Sequence, residues 1–311
     1  MHLDKERVKG KLILLFVAIV WGFAFVFQNQ AIEYMGPFTL NGLRCFIGAL
    51  FLLPVIIYRS KKKKETIIPK DKIQKKDLIV SSIICALFLF IAMNVQQFGM
   101  TLYPNDAAIS GRSGFITALY VVFVPILGLF FKNKLKMGMI VSVLLATIGM
   151  YFLCFSHGIS KVYIGDFVVL LCALGFSLQI LFIDKYSDRV DGVKLSFFEF
   201  IICGALSMIL MFIFEKPDIN SILQAWFPIL YLGVVSSGIG YTLQIVGQQY
   251  SKNPTVDSII MSFESVFAAI GGALILHQKL SMLEAIGCAI MFIAIIIAQL
   301  PDRPFLKKIK Q

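Results

Sequence analysis

The chain has 311 residues, 58 % of them hydrophobic and 15 % charged, with a formal net charge of +11. Soluble domains average about 45–50 % apolar and about 25 % charged residues, so an ordinary soluble domain is excluded; continuous rather than alternating apolar runs exclude a β-barrel. The basic residues lie in short loops between those runs, as membrane topology requires, and no nucleic-acid-binding fold accompanies them, which argues against a nucleic-acid partner.

Ten apolar segments follow one another, at 11–30, 37–58, 78–101, 107–131, 137–155, 163–183, 195–214, 226–249, 255–276 and 281–300. Crossing a bilayer as a helix takes roughly 20 such residues. The first segment follows Lys5, Arg7, Lys9 and Lys11 in the manner of a signal peptide, but no small-residue cleavage site follows it, so it is read as a span. Of the 29 Lys and Arg, 24 fall in loops on the N-terminal side of the membrane; Lys161, Lys216 and Lys279 fall on the other side, and Arg44 and Arg112 within spans. That bias predicts both termini in the cytoplasm of a multi-pass protein of the cell membrane. The run Lys61-Lys62-Lys63-Lys64 is expected to meet anionic lipid.

The six cysteines fall inside or at the edges of apolar segments without CxxC spacing and read as packing residues. His2, His157 and His277 are far apart, so neither a metal nor a cofactor is predicted. No phosphate-cradling Gly-Lys-Ser/Thr motif is present, which argues against direct use of ATP.

The two halves repeat. Trp21-Gly22-Phe23-Ala24 faces Leu174-Gly175-Phe176-Ser177, Gly48-Ala49-Leu50 faces Gly204-Ala205-Leu206, Gln97 and Tyr103 face Gln244 and Tyr250, and Lys134-Leu135 faces Lys279-Leu280. A duplicated unit of five spans enters the membrane in opposite senses. The expected fold is therefore an all-α integral membrane protein, its ten transmembrane helices forming two inverted five-helix repeats around a central cavity. A cytoplasmic segment 1–10 precedes repeats 11–155 and 163–300, and a basic tail 301–311 follows. Inverted halves can exchange roles between inward-open and outward-open forms, as a carrier needs.

With Trp21-Gly22-Phe23, Pro37-Phe38, Leu43-Arg44-Cys45-Phe46, Ala107-Ala108-Ile109, Pro125, and the run from Phe263-Glu264-Ser265 to Gly271-Gly272, residues 10–300 resemble the EamA-like branch of the drug/metabolite transporter superfamily. The resemblance implies ten helices, a central cavity and movement of small metabolites, often outward. Family members often end the fourth and ninth helices with Gly-Glu; here Lys132-Asn133 and His277-Gln278 stand there.

The fourth segment carries Arg112 about two turns inside and Pro125 further on, which is expected to break the helix. An arginine at the centre of a span costs roughly 2.5–3.5 kcal/mol on insertion scales and usually faces a partner or a wet cavity; near a helix end it snorkels to the interface instead. Helical spacing puts Arg112 with Tyr120 on one stripe, and Asp257, Met261, Glu264 and Ala268 on another. Arg112 and Asp257 are counterparts in the repeat, so they are expected to face one cavity and either pair or bind a zwitterion, unless Asp257 merely caps its helix after Pro254. Glu264, the deepest acid of the second half, is a candidate proton carrier, the alternative being a neutral group hydrogen-bonded within the bundle. Asn94, Gln97 and Gln244 are placed nearest the cavity, with Gln179, Tyr241 and Trp21 as further candidates; interhelical hydrogen bonding is the competing use of such amides. Glu199 is left unassigned.

Together these features predict a secondary transporter of small polar metabolites, amino acids or related compounds, working by alternating access toward efflux. A proton gradient or downhill flow would supply the energy. A membrane-embedded enzyme would need an acid–base pair or metal set at one depth, and a lipid-handling or signalling protein a lateral polar groove or an added soluble domain.

Overall fold

The computed structural model describes residues 2–104, 109–133, 137–154, 163–275 and 282–299. All regular structure among these residues is helical. Seven stretches are long and apolar enough to cross a membrane: Lys5–Ile32, Pro37–Lys63, Lys72–Thr101, Ile109–Phe131, Ile164–Tyr186, Gly192–Phe214 and Trp226–Ser251. They correspond to α1 (His2–Ile32), α2 (Pro37–Lys63), α3 (Lys72–Thr101), α4 (Ile109–Ala118) with α5 (Tyr120–Gly128), then α7 (Ile164–Tyr186) and α8 (Gly192–Phe214). The last of them joins α10 (Trp226–Leu230) and α11 (Thr242–Ser251) through a π-helical stretch, Tyr231–Tyr241. The other apolar stretches form α6 (Met137–Cys154), α12 (Pro254–Met261) with α13 (Glu264–Ile275), and α14 (Met282–Gln299); a short α9 (Ile219–Gln224) precedes α10.

Helix starts follow from local chemistry. The Asp71 carboxylate accepts from Ile73 N and Gln74 N, Asp191 from Val193 N and Lys194 N, and Asn253 from Val256 N. Each satisfies backbone donors that a first helical turn leaves open. Pro37 and Pro254 open α2 and α12, where a missing N–H costs nothing. Lys64, Lys132 and Lys252 take left-handed backbone conformations, with φ of 55°, 63° and 54°, and close the helices before them.

The two ends of the bundle differ. At the basic end, Arg59 pairs with Asp191, Lys252 with Asp188, and Lys9 lies over the Tyr250 ring. At the far end, Arg112 pairs with Asp166, and the Glu215 carboxylate accepts from Phe38 N and Thr39 N, both at 2.8 Å, capping the start of α2 from the loop after α8. Large apolar residues such as Leu50, Phe212 and Phe130 are exposed on the outside of the bundle, as a lipid-facing surface requires.

Helices from the two halves of the chain pack on one another: α1 on α11 and α13, α2 on α8, α3 on α7, and α6 on α14. Without a hydrophobic drive between helices in lipid, close backbone approach does this work. A Cβ at Gly22 would lie 2.4 Å from Phe267 Cβ and 2.8 Å from Glu264 O, so only glycine lets α1 cross α13 at this depth. Gly114 of α4 meets Ala268 of α13 across another small-residue seam. Cys45, Cys85, Cys172 and Cys203 are buried and free, with Cys45 Sγ 3.6 Å from Cys203 Sγ. His157, His277-Gln278, Lys134-Leu135, Lys279-Leu280 and the tail 301–311 lie outside the described residues.

Candidate functional site

Two apolar segments are interrupted halfway. In the ninth, the hydroxyls of Ser258, Ser262 and Ser265 each donate to the carbonyl three residues back, at Thr255, Ile259 and Ser262. Such bonds compete with the helix ladder. The helix stops at Met261 and resumes at Glu264, which becomes the first residue of α13. In the fourth segment α4 ends at Ala118 and α5 begins at Tyr120. The expected break at Pro125 is not where the helix parts: Pro125 lies inside α5. Its ring crowds the carbonyl of Val121 and removes one donor, and the irregularity appears in the turn just before, where Leu119 N reaches back only three residues to Ile116 O.

Both resumption points open on one cavity of about 30 Å³, room for about two water molecules. Trp21, Phe25 and Gln28 of α1, Arg44 of α2, Gln96 of α3 and Thr117 of α4 line it from the first half, with Tyr120 of α5. From the second half come Phe176 and Ile180 of α7, then Ser236, Tyr241 and Gln244, and Glu264 of α13. Helices from both halves close around this volume, so a metabolite enters only when they part.

Two opposite charges line the cavity. Arg44 is 2 % exposed; its Nε donates to Ser237 Oγ at 3.1 Å and its Nη2 to Ser236 Oγ at 2.9 Å. Both partners are neutral hydroxyls, which leave a buried guanidinium without a counter-charge. Glu264 is 3 % exposed, its Oε1 accepts no hydrogen bond, and the Tyr120 hydroxyl lies beside its carboxyl without completing one. As the first residue of α13, Glu264 also stands at a helix N-terminus, whose free N–H groups favour negative charge. Trp21 packs on Tyr241 with ring centroids 4.7 Å apart, and its Nε1 donates to Ser236 O at 3.3 Å. Packing and cavity lining are thus both true of Trp21. The π-helical Tyr231–Tyr241 places Ser236 and Tyr241 on this wall, and such stretches often mark functional sites.

Behind the wall runs an amide chain. Gln244 Nε2 donates to Gln179 Oε1 at 3.1 Å, and Gln179 Nε2 to Glu199 Oε1 at 3.0 Å. Gln179 therefore orients Gln244 instead of lining the cavity, and Glu199 anchors the chain.

The EamA-like transporter family model matches residues 8–155 and again 163–299. This chain belongs to the EamA-like transporter family. An uncharacterized transporter of Archaeoglobus fulgidus is 29 % identical over 297 residues, covering 95 % of this chain and 87 % of that one. The uncharacterized transporter YoaV of Bacillus subtilis is 26 % identical over 294 residues, covering 91 % and 94 %. A solved crystal structure superposes with a TM-score of 0.77 at 16 % identity, over 94 % of this chain and 98 % of that one, which is a likeness of fold. The chain is a transporter and a multi-pass membrane protein.

Within this EamA-like transporter, several sequence expectations need correction. Arg112 does not face the cavity. Its Nε and Nη2 donate to Asp166 Oδ1 and Oδ2 at 2.6 and 2.7 Å, and its guanidinium lies 4.8 Å from the Tyr163 ring centroid. The Tyr103 hydroxyl donates to Asp166 Oδ1 at 2.8 Å, and burial together with that carboxyl holds the phenol well above the usual tyrosine range, so it stays a donor. Asp257 pairs with no arginine: it is fully buried, neither of its oxygens completes a hydrogen bond, and Asn253, not Asp257, caps α12. The predicted stripes fail because each crosses an interruption, at Leu119 or at Ser262-Phe263, where helical phase is lost.

Gln244 lines the cavity as expected, but Asn94 and Gln97 do not. Asn94 donates to Phe90 O and Ser207 Oγ and accepts from Asn41, binding α2, α3 and α8 together. Gln97 Nε2 donates to Gln28 O behind the wall, while its neighbour Gln96 lines the cavity and donates to Thr117 Oγ1 at 2.9 Å. Sequence reasoning missed Arg44, Gln28, Gln96, Thr117 and Ser236. The signal for Arg44 was available, since a charge eight residues into a span merits the same attention as Arg112.

Proposed function

We propose that this transporter is a secondary carrier of small zwitterions, amino acids or related compounds, working by alternating access. The observation that carries this reading is Arg44: a buried cation on the cavity wall whose protein partners are uncharged. A substrate carboxylate supplies the counter-charge, and Glu264 on the opposite half receives the ammonium. Trp21, Phe25, Phe176 and Tyr241 offer aromatic walls for an apolar side chain. Gln244, with an unpartnered Oε1, adds a hydrogen-bond acceptor.

Ten spans in two inverted five-helix repeats, 11–155 and 163–300, suit this mechanism. The family model's two matches support the duplication. So do the paired interruptions that begin α5 at Tyr120 and α13 at Glu264. Discontinuous helices meeting at a substrate site are the usual architecture of such carriers. The basic end faces the cytoplasm of a cell membrane, by the charge bias of the loops, and Lys61–Lys64 there meet anionic headgroups. Outward movement is favoured by the family resemblance, with a proton gradient or downhill flow as the energy source.

Counterflow of labelled amino acids in liposomes containing the purified chain tests this. Uptake of zwitterions that is lost on Arg44→Gln and on Glu264→Gln is expected. Transport restricted to uncharged or purely anionic compounds, or uptake unchanged by Arg44→Gln, overturns it.

A further inference from the structure

Between the cavity and the basic end lies a second buried acid that the substrate site does not use. Asp257 stands in the first turn of α12, fully buried, and neither carboxyl oxygen completes a hydrogen bond with the protein. The other charged or titratable groups facing it are Lys11 of α1 and Asp184 of α7, with the Ser251 hydroxyl of α11 beside it. Of the remaining helices packed on α12, α5 and α6 carry no charged residue, and Tyr120 of α5 faces Glu264. The titratable residues of α6 lie in its last turn, and the charged residue of α14, Glu284, in its first, both at the far end.

A bare ionised carboxylate in this position would be unsupportable, because a buried charge needs a partner and satisfied lone pairs. Asp184 adds a second negative charge nearby. A hard divalent cation takes about six to eight oxygens, and the side chains of Asp257 and Ser251 supply three. A proton needs one oxygen and leaves a neutral group, which suits the apolar surroundings of Val256, Ile260 and Met261. Lys11 is the cation able to take the proton's place. Its backbone is pinned, since a Cβ on the preceding Gly10 would lie 2.7 Å from both Gly247 O and Ser251 N. The Lys11 side chain is half-buried, so its long stem is the part that can turn toward or away from Asp257.

We propose that Asp257 is a proton-binding site on the basic side of the cavity. The carboxyl is protonated in the conformation described. It releases its proton toward the basic end when the Lys11 ammonium swings in to neutralise the carboxylate. The O–H bond of the carboxyl breaks, its electron pair stays on the oxygen and the proton passes to water. The site is distinct from Glu264, and its coupling role rests on the carrier reading above.

Two measurements test it. Infrared spectra of the purified chain at neutral pH should show a protonated-carboxyl band that Asp257→Asn removes and Glu264→Gln leaves unchanged; a spectrum identical in wild type and Asp257→Asn overturns the proposal, whether or not any substrate is moved. In proteoliposomes, Asp257→Asn should keep substrate exchange at equal pH on both sides and lose the several-fold stimulation by an imposed proton gradient. Full stimulation in that variant, or stimulation by a sodium gradient alone, overturns it. Should Asp257→Asn fail to fold, Lys11→Gln tests the same site: the infrared band should persist to higher pH than in wild type, and an unchanged titration counts against the proposal. A chain that shows the Asp257 band but carries no zwitterion removes the carrier reading and leaves the proton site standing.

Discussion

Tyr120 and Glu264 are the first residues of the two helices that resume after the interruptions, and the hydroxyl of one lies beside the carboxyl of the other across the cavity. They stand 144 positions apart, close to the spacing of the sequence repeat. The two groups stop short of a hydrogen bond in the closed cavity, and bound substrate is expected to draw them into one. Tyr120→Phe should then weaken substrate binding about 3- to 10-fold, the worth of one hydrogen bond of about 1 kcal/mol, and Glu264→Gln should weaken it more. Melting-temperature shifts with increasing amino acid concentration measure both.

Arg44 is predicted to trade stability for binding. A buried charge held only by hydroxyls carries a desolvation penalty that no opposite charge offsets. Arg44→Met should therefore melt at the same temperature as wild type or higher, while binding no substrate. Arg44→Lys should fold but bind poorly, because an ammonium on a flexible stem cannot reproduce the forked contacts to Ser236 and Ser237. Thermal unfolding in detergent, with and without amino acid, separates these outcomes.

The Arg112–Asp166 pair ties α4 to α7 at the far end, with side chains 17 % and 12 % exposed. Breaking a pair this well buried costs on the order of 3 kcal/mol, and the cost falls on the form closed at that end. Asp166→Asn should speed labelling, by an impermeant maleimide, of a cysteine placed at Gln28. The exchange Arg112→Asp with Asp166→Arg should slow it again. Equal labelling in all three proteins would show that the pair does not hold this end shut.

Glu215 caps α2 from a distant loop, and Gly36 leaves it the room: a Cβ on Gly36 would lie 2.3 Å from the Glu215 carboxyl. Gly36 has an ordinary φ of −71°, so alanine fits the backbone and harms only this contact. Gly36→Ala and Glu215→Ala should each cost about 1–2 kcal/mol, the worth of a strong cap, and together little more than either alone. A double-mutant cycle in thermal unfolding checks it.

Much of the molecule was legible before any coordinates. Apolar runs long enough to span a bilayer can satisfy their backbone only as helices, and the halves announce their kinship through Trp21-Gly22-Phe23 and Gly175-Phe176. Tyr120, Gln244, Tyr241, Trp21 and Glu264 were singled out as polar or hydrogen-bonding groups within spans, and amides and charges there must face something other than lipid. Which of them face the cavity was another matter. The stripe joining Asp257 to Glu264 assumed an unbroken helix, and three serine hydroxyls break it between them. Gln96 and Gln97 are neighbours in sequence, yet 100° of helical turn sends one to the cavity and the other to Gln28.

Composition and order of residues thus determined by themselves that the chain is a helical membrane protein, because hydrophobic length and backbone satisfaction are properties of each segment alone. Only the tertiary structure decided that Arg44 and Glu264 line one cavity from opposite halves while Arg112 turns to Asp166 and Asp257 stands apart. Charge partners in a bundle are chosen by where helices cross and where they are interrupted, and those depend on glycines such as Gly22 meeting their neighbours across the whole fold.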